Sequence, residues 1–163
     1  MSKNQLFLLL GTNLGDKKQN LINAIKGIEA LIGKVEIKSK IYETAAWGIE
    51  EQPSFLNQIL VINSGFSAEK ILKIILNIEE EMGRKRIKKW AERLIDIDII
   101  YYGDEIVNQK NLIIPHPYLH ERRFTLMPLV EIAAHFVHPI FKKSNSQLLN
   151  ECADHGEVVL IEN

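Results

Sequence analysis

Two adjoining stretches hold most of the chemistry this 163-residue chain has to offer. From Arg84 to Arg93, six cations (Arg84, Lys85, Arg86, Lys88, Lys89 and Arg93) stand against one carboxylate, Glu92. That is a net +5 within ten residues of a chain whose total charge is −1, which leaves −6 for the remainder. A near-neutral protein that concentrates charge in this way marks the place of a polyanionic ligand. Half of these cations are arginines, whose planar forks match phosphate oxygens. Trp90 sits among them, where a polar loop gives it no core to fill. A solvated surface loop is the plain alternative, and the loop alone leaves both readings open.

Three residues further on, Asp96-Ile97-Asp98 sets two carboxylates on alternate positions. On a strand these share one face about 7 Å apart, while Ile95, Ile97 and Ile99 turn to the other face and a core. Like charges side by side on a strand are costly unless a cation lies between them. Magnesium suits the pair, because it takes hard oxygen ligands and is held by one or two carboxylates plus substrate phosphates. Alone, such a pair reads equally as an acidic face bridged to nearby arginines. Directly after an arginine-rich loop it supplies ligands both for a metal and for the phosphates a metal bridges, the equipment of phosphoryl transfer. Neither a G-x-x-x-x-G-K-[ST] loop nor a kinase-type glycine loop is present, which excludes those two classes.

A third group offers flat surfaces and amide partners: Trp47, Phe55, Asn57, Trp90 and Phe124, all in or beside polar segments. Asn57 shares a strand face with Phe55, so it can read the edge of a heterocycle lying on an aromatic wall. His116 and Arg122 add a candidate pair of phosphate donors. His120, His135, His138 and His155 read as structural or solvent-facing.

The elements that must position these groups follow from periodicity. Leu6 to Leu10 is a short apolar run ended by Gly11, a strand buried on both faces. Leu21, Ile22, Ile25, Ile28, Leu31 and Ile32 form a helical stripe between Asp16, a natural N-cap, and Gly33. Val35 to Ile41 alternates as one half-exposed strand, and Phe55 to Asn63 reads as the next. Ser67 opens a second amphipathic helix that Gly83 closes, and Leu94 to Tyr102 is a fourth strand. Glu105–Val107 and Leu112–Ile114 fit a small hairpin, and the rest reads as short helices and irregular chain. The order β-α-β-β-α-β with a C-terminal extension predicts an α+β fold of ferredoxin-like type, with two helices on one face of an antiparallel sheet.

Composition narrows the class. With 46% hydrophobic and 25% charged residues the chain is expected to fold as one domain over residues 1–163. One cysteine, Cys152, excludes an internal disulfide or a multi-cysteine metal cluster and points to a reducing compartment. No apolar run reaches membrane-spanning length, and Leu6 to Leu10 lacks the flanks of a signal peptide. The expectation is a cytoplasmic protein without nucleic-acid or membrane partners.

Lys89-Trp90-Ala91-Glu92-Arg93-Leu94-Ile95-Asp96-Ile97-Asp98 resembles the signature of the 6-hydroxymethyl-7,8-dihydropterin pyrophosphokinase family of folate biosynthesis. Gly11-Thr12-Asn13-Leu14-Gly15-Asp16, Tyr42-Glu43-Thr44, Gln52-Pro53-Ser54-Phe55-Leu56-Asn57, Pro115-His116-Pro117 and Arg122-Arg123-Phe124 resemble further segments of that family in the same order. Ala91-Glu92, Lys89, Trp47 and Leu76 depart from its usual residues. The resemblance implies transfer of diphosphate from ATP to the pterin hydroxymethyl group, leaving AMP. It implies that Asp96 and Asp98 hold two Mg²⁺ ions, and that Arg84, Arg86, Lys89, Arg93, His116 and Arg122 neutralise phosphates. It further implies that Phe55 and Phe124 sandwich the pterin, that Thr44 and Asn57 read its edges, that Trp90 closes over the site with Trp47 nearby, and that adenine lies against the backbone near Ile99. A monomer is the simplest expectation. An RNA-binding module shares the βαββαβ order but needs an aromatic-rich central-strand motif that is missing, and paired carboxylates would repel a phosphate backbone.

Overall fold

A computed structural model describes residues 4–45, 53–83 and 94–161. At its centre lies β1 (Gln5–Thr12), buried from Leu6 onward on both faces, which is why it reads as an unbroken apolar run. It pairs antiparallel with β4 (Phe55–Asn63) on one side and β5 (Asp96–Tyr102) on the other. The strand order is β5-β1-β4-β3-β8, where β3 is Ile41–Thr44 and β8 is Val158–Ile161; β2 (Val35–Lys38) also pairs with β4. A separate small hairpin joins β6 (Val107–Gln109) to β7 (Leu112–Ile114), as expected.

Two capped helices cover one face. The Asp16 side chain accepts from Gln19 N–H (3.1 Å) to open α1 (Lys17–Leu31), and Ser67 accepts from Lys70 N–H (3.2 Å) to open α2 (Ala68–Met82), which Gly83 ends. Leu21, Ile28, Ile71 and Ile75 pack there against Leu6, Leu8, Leu10, Ile97 and Ile99. The opposite face is covered only in part, by α3 (Arg123–Ala133) and α4 (Asn145–Glu151), over Phe7, Leu9, Ile59 and Tyr101. Tyr101 stacks edge-on against Phe7 and donates to Asn145 Oδ1 at 2.7 Å.

The alternating run Val35–Ile41 does not form one strand. Ser39 interrupts it: its hydroxyl accepts from Ile59 N–H (2.9 Å) and donates to Lys40 O (2.7 Å), and the pairing with β4 slips at this point. Ile37 is left exposed while Ser39 is buried, although simple alternation puts both on one face. The C-terminal extension also contributes more than short helices, since β8 joins the main sheet beside β3. Among the described residues no helix is long and apolar enough to cross a membrane.

Candidate active site

Cross-strand register brings the site together. Directly opposed residues share a face, and one such row runs Asp96, Gly11, Asn57 and Tyr42 across β5, β1, β4 and β3. A second row runs Phe55, Thr44 and Val158 across β4, β3 and β8. Both rows lie on the partly covered face, at the end that α3 leaves open. There a cleft of about 830 Å³ is floored by Gly11, Asn57, Asp96 and Asp98, and walled by Thr44 and Phe55 on one side and Arg122 and Phe124 on the other.

The glycine-rich turn after β1 fixes this floor. Gly11 leaves room for the Asn57 side chain, whose amide nitrogen would lie 3.0 Å from a Cβ there. Thr12 donates to Leu94 O at 2.6 Å, anchoring the entry to β5 just ahead of Asp96. The Asn20 amide donates to Thr12 Oγ1 (3.1 Å) and Leu14 O (2.7 Å), bracing the turn from α1. Asn57 is buried and its Oδ1 accepts from Thr44 Oγ1 at 3.3 Å, so the two residues expected to read a heterocycle edge already face each other.

Below the Thr44–Phe55 wall, three side chains form a clasp. Ser54 Oγ donates to Glu43 Oε2 (2.6 Å) and accepts from Lys17 Nζ (3.2 Å), which also reaches Ser54 O (3.1 Å). Arg122 lies over the rings of Tyr118 (5.4 Å) and Phe124 (5.8 Å), so its guanidinium is aimed by aromatic faces.

Asp98 also borders a second, smaller cleft of about 270 Å³ along the outer edge of β5, with Leu72, Ile99, Lys110, Asn111 and His116. Glu79 Oε2 accepts from Ile97 N–H (2.8 Å) and His116 N–H donates to Ile100 O (3.0 Å), so this strand edge is held on either side of Ile99. Burial, and secondarily the charge of Arg122, push the His116 pKa down to about 4. At neutral pH the ring is therefore uncharged, with Nδ1 accepting from Tyr118 N–H (3.1 Å) and Nε2–H left to donate.

The structure thus brings Thr44, Phe55, Asn57, Asp96, Asp98, Arg122 and Phe124 into one cleft, and Ile99 and His116 into the adjoining one with Asp98. His116 and Arg122, paired in the sequence reading, line different clefts. Trp47, Arg84, Arg86, Lys89, Trp90 and Arg93 lie outside the described residues. Sequence reasoning missed the fourth side of the larger cleft, made by Asp154, Gly156, Glu157 and Val158. The apolar run Val158 to Ile161 was its one visible signal, and nothing local says that it docks beside Thr44.

Comparison with known proteins settles the family. Residues 7–134 match the family model described as 7,8-dihydro-6-hydroxymethylpterin-pyrophosphokinase, HPPK. The chain belongs to the HPPK family. It is 41% identical over 138 residues to the 2-amino-4-hydroxy-6-hydroxymethyldihydropteridine pyrophosphokinase of Aquifex aeolicus, covering 85% of this chain and 86% of that protein. The namesake from Haemophilus influenzae is 36% identical, with 94% and 96% covered. A folic acid synthesis protein of Dictyostelium discoideum, FOL1, is also 36% identical, but the chain spans only 23% of it. Among solved structures, Plasmodium falciparum HPPK-DHPS superposes on 91% of this chain and 43% of that one with a TM-score of 0.74. At 19% identity that likeness speaks for the HPPK fold alone. As an HPPK, the chain is a pyrophosphokinase, a diphosphotransferase of folate biosynthesis.

Proposed function

We propose that the larger cleft receives 6-hydroxymethyl-7,8-dihydropterin, that the smaller one receives ATP, and that diphosphate passes between them at Asp98. The observation that carries this reading is that Asp98 borders both clefts. A carboxylate at that junction lies where an attacking hydroxyl from one side would meet a phosphate chain from the other. The core formed by β1, α1, the β2–β3 segment, β4, α2 and β5 has its strands ordered β5, β1, β4, then β2 and β3. We read this as the ferredoxin-like arrangement.

The donor chemistry fits magnesium. Among the described residues no three His, Cys, Asp or Glu side chains gather into a self-sufficient metal cage. Two carboxylates on alternate positions at the cleft floor, Asp96 exposed and Asp98 half-buried, suit an ion that keeps waters and shares phosphate ligands. Asp96 and Asp98 would hold two Mg²⁺ ions, which supply charge neutralisation on the phosphates and polarisation of the attacking hydroxyl.

The protein's own groups do the rest. Phe55 and Phe124 bind the pterin faces, and Thr44 with Asn57 offers one hydroxyl and one amide to its edge. Holding the ring fixes its hydroxymethyl arm toward Asp98, and alignment of this kind supplies much of a transfer reaction's acceleration. Neutral His116 donates through Nε2 without adding charge, while Arg122 adds a cation on the pterin side. Ile99 offers its backbone edge to adenine. Arg84, Arg86, Lys89 and Arg93 supply further phosphate donors, and Trp47 and Trp90 flat cover. Purified chain incubated with ATP, Mg²⁺ and 6-hydroxymethyl-7,8-dihydropterin should release AMP and pterin diphosphate. AMP release that ignores the pterin, or none at all, would sink the reading.

A further inference from the structure

The C-terminal side of the cleft has no part in the mechanism above, yet one of its carboxylates ties two walls together. Asp154 Oδ2 accepts from the backbone N–H of Arg123 at 3.0 Å, and Asp154 Oδ1 accepts from Gly156 N–H at 2.9 Å. Arg123 is the first residue of α3, and the residue before it, Arg122, makes no side-chain cap. Asp154 therefore caps the helix that presents Arg122 and Phe124, and does so from 31 residues away. Its negative charge also favours that helix end. The turn it belongs to runs into Val158, which opposes Thr44, which opposes Phe55.

A closed belt results. It passes from Phe55 through Thr44 and Val158 to the turn, then through the Asp154 carboxylate to Arg123 and Phe124. That carboxylate supplies the hydrogen bond of the belt between the C-terminal turn and α3, beside the packing of α3 on α4 and β8. We propose that Asp154 is a positioning residue for the pterin: it sets the gap between the two aromatic walls by holding the first turn of α3 to the C-terminal turn. This rests on the assignment of Phe55 and Phe124 to the pterin. A helix cap with no further role would instead affect both substrates through general loosening of the fold.

The two roles separate in steady-state kinetics of the full chain, with KM measured for each substrate and a thermal midpoint for each variant. Asp154→Ala should raise the pterin KM on the order of tenfold and lower kcat as well, since ring placement also aligns the hydroxymethyl arm, with the ATP KM within about twofold. Asp154→Asn keeps one acceptor oxygen but no charge, and should fall between. Gly156→Ala probes the same carboxylate from the other side, because a Cβ there would stand 3.0 Å from Asp154 Oδ1. It too should raise the pterin KM selectively. A pterin KM within about twofold of the parent in the folded variants, or both KM values rising together as the midpoint falls, overturns the proposal. If Asp154→Ala does not fold, the other two variants decide. A parent chain that fails to transfer diphosphate to the pterin overturns the functional reading together with this one.

Discussion

Gly11 and Asn57 lie directly opposite each other on β1 and β4, and the absence of a side chain at Gly11 is what gives the Asn57 amide its place. A Cβ at position 11 would stand 3.0 Å from Asn57 Nδ2, tighter than such contacts normally run. Gly11→Ala should leave the sheet intact, since alanine loses less backbone entropy in a strand than glycine. It should nonetheless raise the pterin KM several-fold by turning the amide away from the cleft, on the order of the ~1 kcal/mol that one hydrogen bond contributes. An unchanged pterin KM in a folded Gly11→Ala protein would show that Asn57 does not read the ring.

Asp98→Asn should nearly abolish transfer. A neutral amide is a much poorer Mg²⁺ ligand than a carboxylate, and the loss should be on the order of a thousandfold in kcat. Circular dichroism should be unaltered, and pterin binding, which depends on Phe55, Asn57 and Phe124, should change little. Near-normal turnover at saturating Mg²⁺ would remove Asp98 from the mechanism.

How these predictions could be made from sequence differs from residue to residue. β1, α1, β4, α2 and β5 were legible because each keeps one period from cap to stop, and the alternation at Asp96-Ile97-Asp98 gave both the face and the chemistry. The break at Ser39 was not legible. It depends on a hydroxyl replacing a ladder bond to Ile59, a choice made by a strand far away in sequence. The same holds for Asp154, whose partner Arg123 is brought close by the packing of α4 on α3 and the docking of β8. Long-range contacts that carry no local pattern escape a reading built on periodicity. The motif Gly11-Thr12-Asn13 was recognisable as a unit, yet the separate jobs of its members appear only once Asn57, Leu94 and Pro53 are beside it.

Ser54→Ala should loosen the wall that carries Phe55. The substitution removes the hydroxyl between Glu43 and Lys17 and should cost about 1 kcal/mol of stability, the usual net value of a hydrogen bond, or somewhat more for charged partners. Denaturant unfolding measures that cost directly. The pterin KM should rise with it while the ATP KM holds; equal change in both would assign the clasp to general stability.

His138 should make stability depend on pH. It is 2% exposed, and its Nδ1 accepts from Ile140 N–H (3.2 Å) and Phe141 N–H (3.1 Å), a role open only to the neutral ring. Burial first, and then the neighbouring His120, push its pKa from 6.5 down to about 4. The unfolded chain takes up this proton near pH 6.5 and the folded one only near pH 4. The stabilisation is thus complete above 6.5 and is lost as the pH falls towards 4, by up to about 3 kcal/mol. Parent and His138→Gln proteins should differ most in unfolding free energy at pH 7 and converge towards pH 4.5. A constant gap across that range would show that His138 does not titrate in this window.

The docking of Val158 beside Thr44 has a consequence for the order of events during synthesis. The two carboxylates of β5 and the Thr44–Phe55 wall leave the ribosome well before residues 154–158 do. At translation rates of about 5–20 residues per second, the nascent chain spends on the order of seconds with its phosphate-handling groups made and the far wall of the pterin cleft still in the exit tunnel. Tight pterin binding is therefore unavailable to any nascent form whose β8 has not yet left the ribosome.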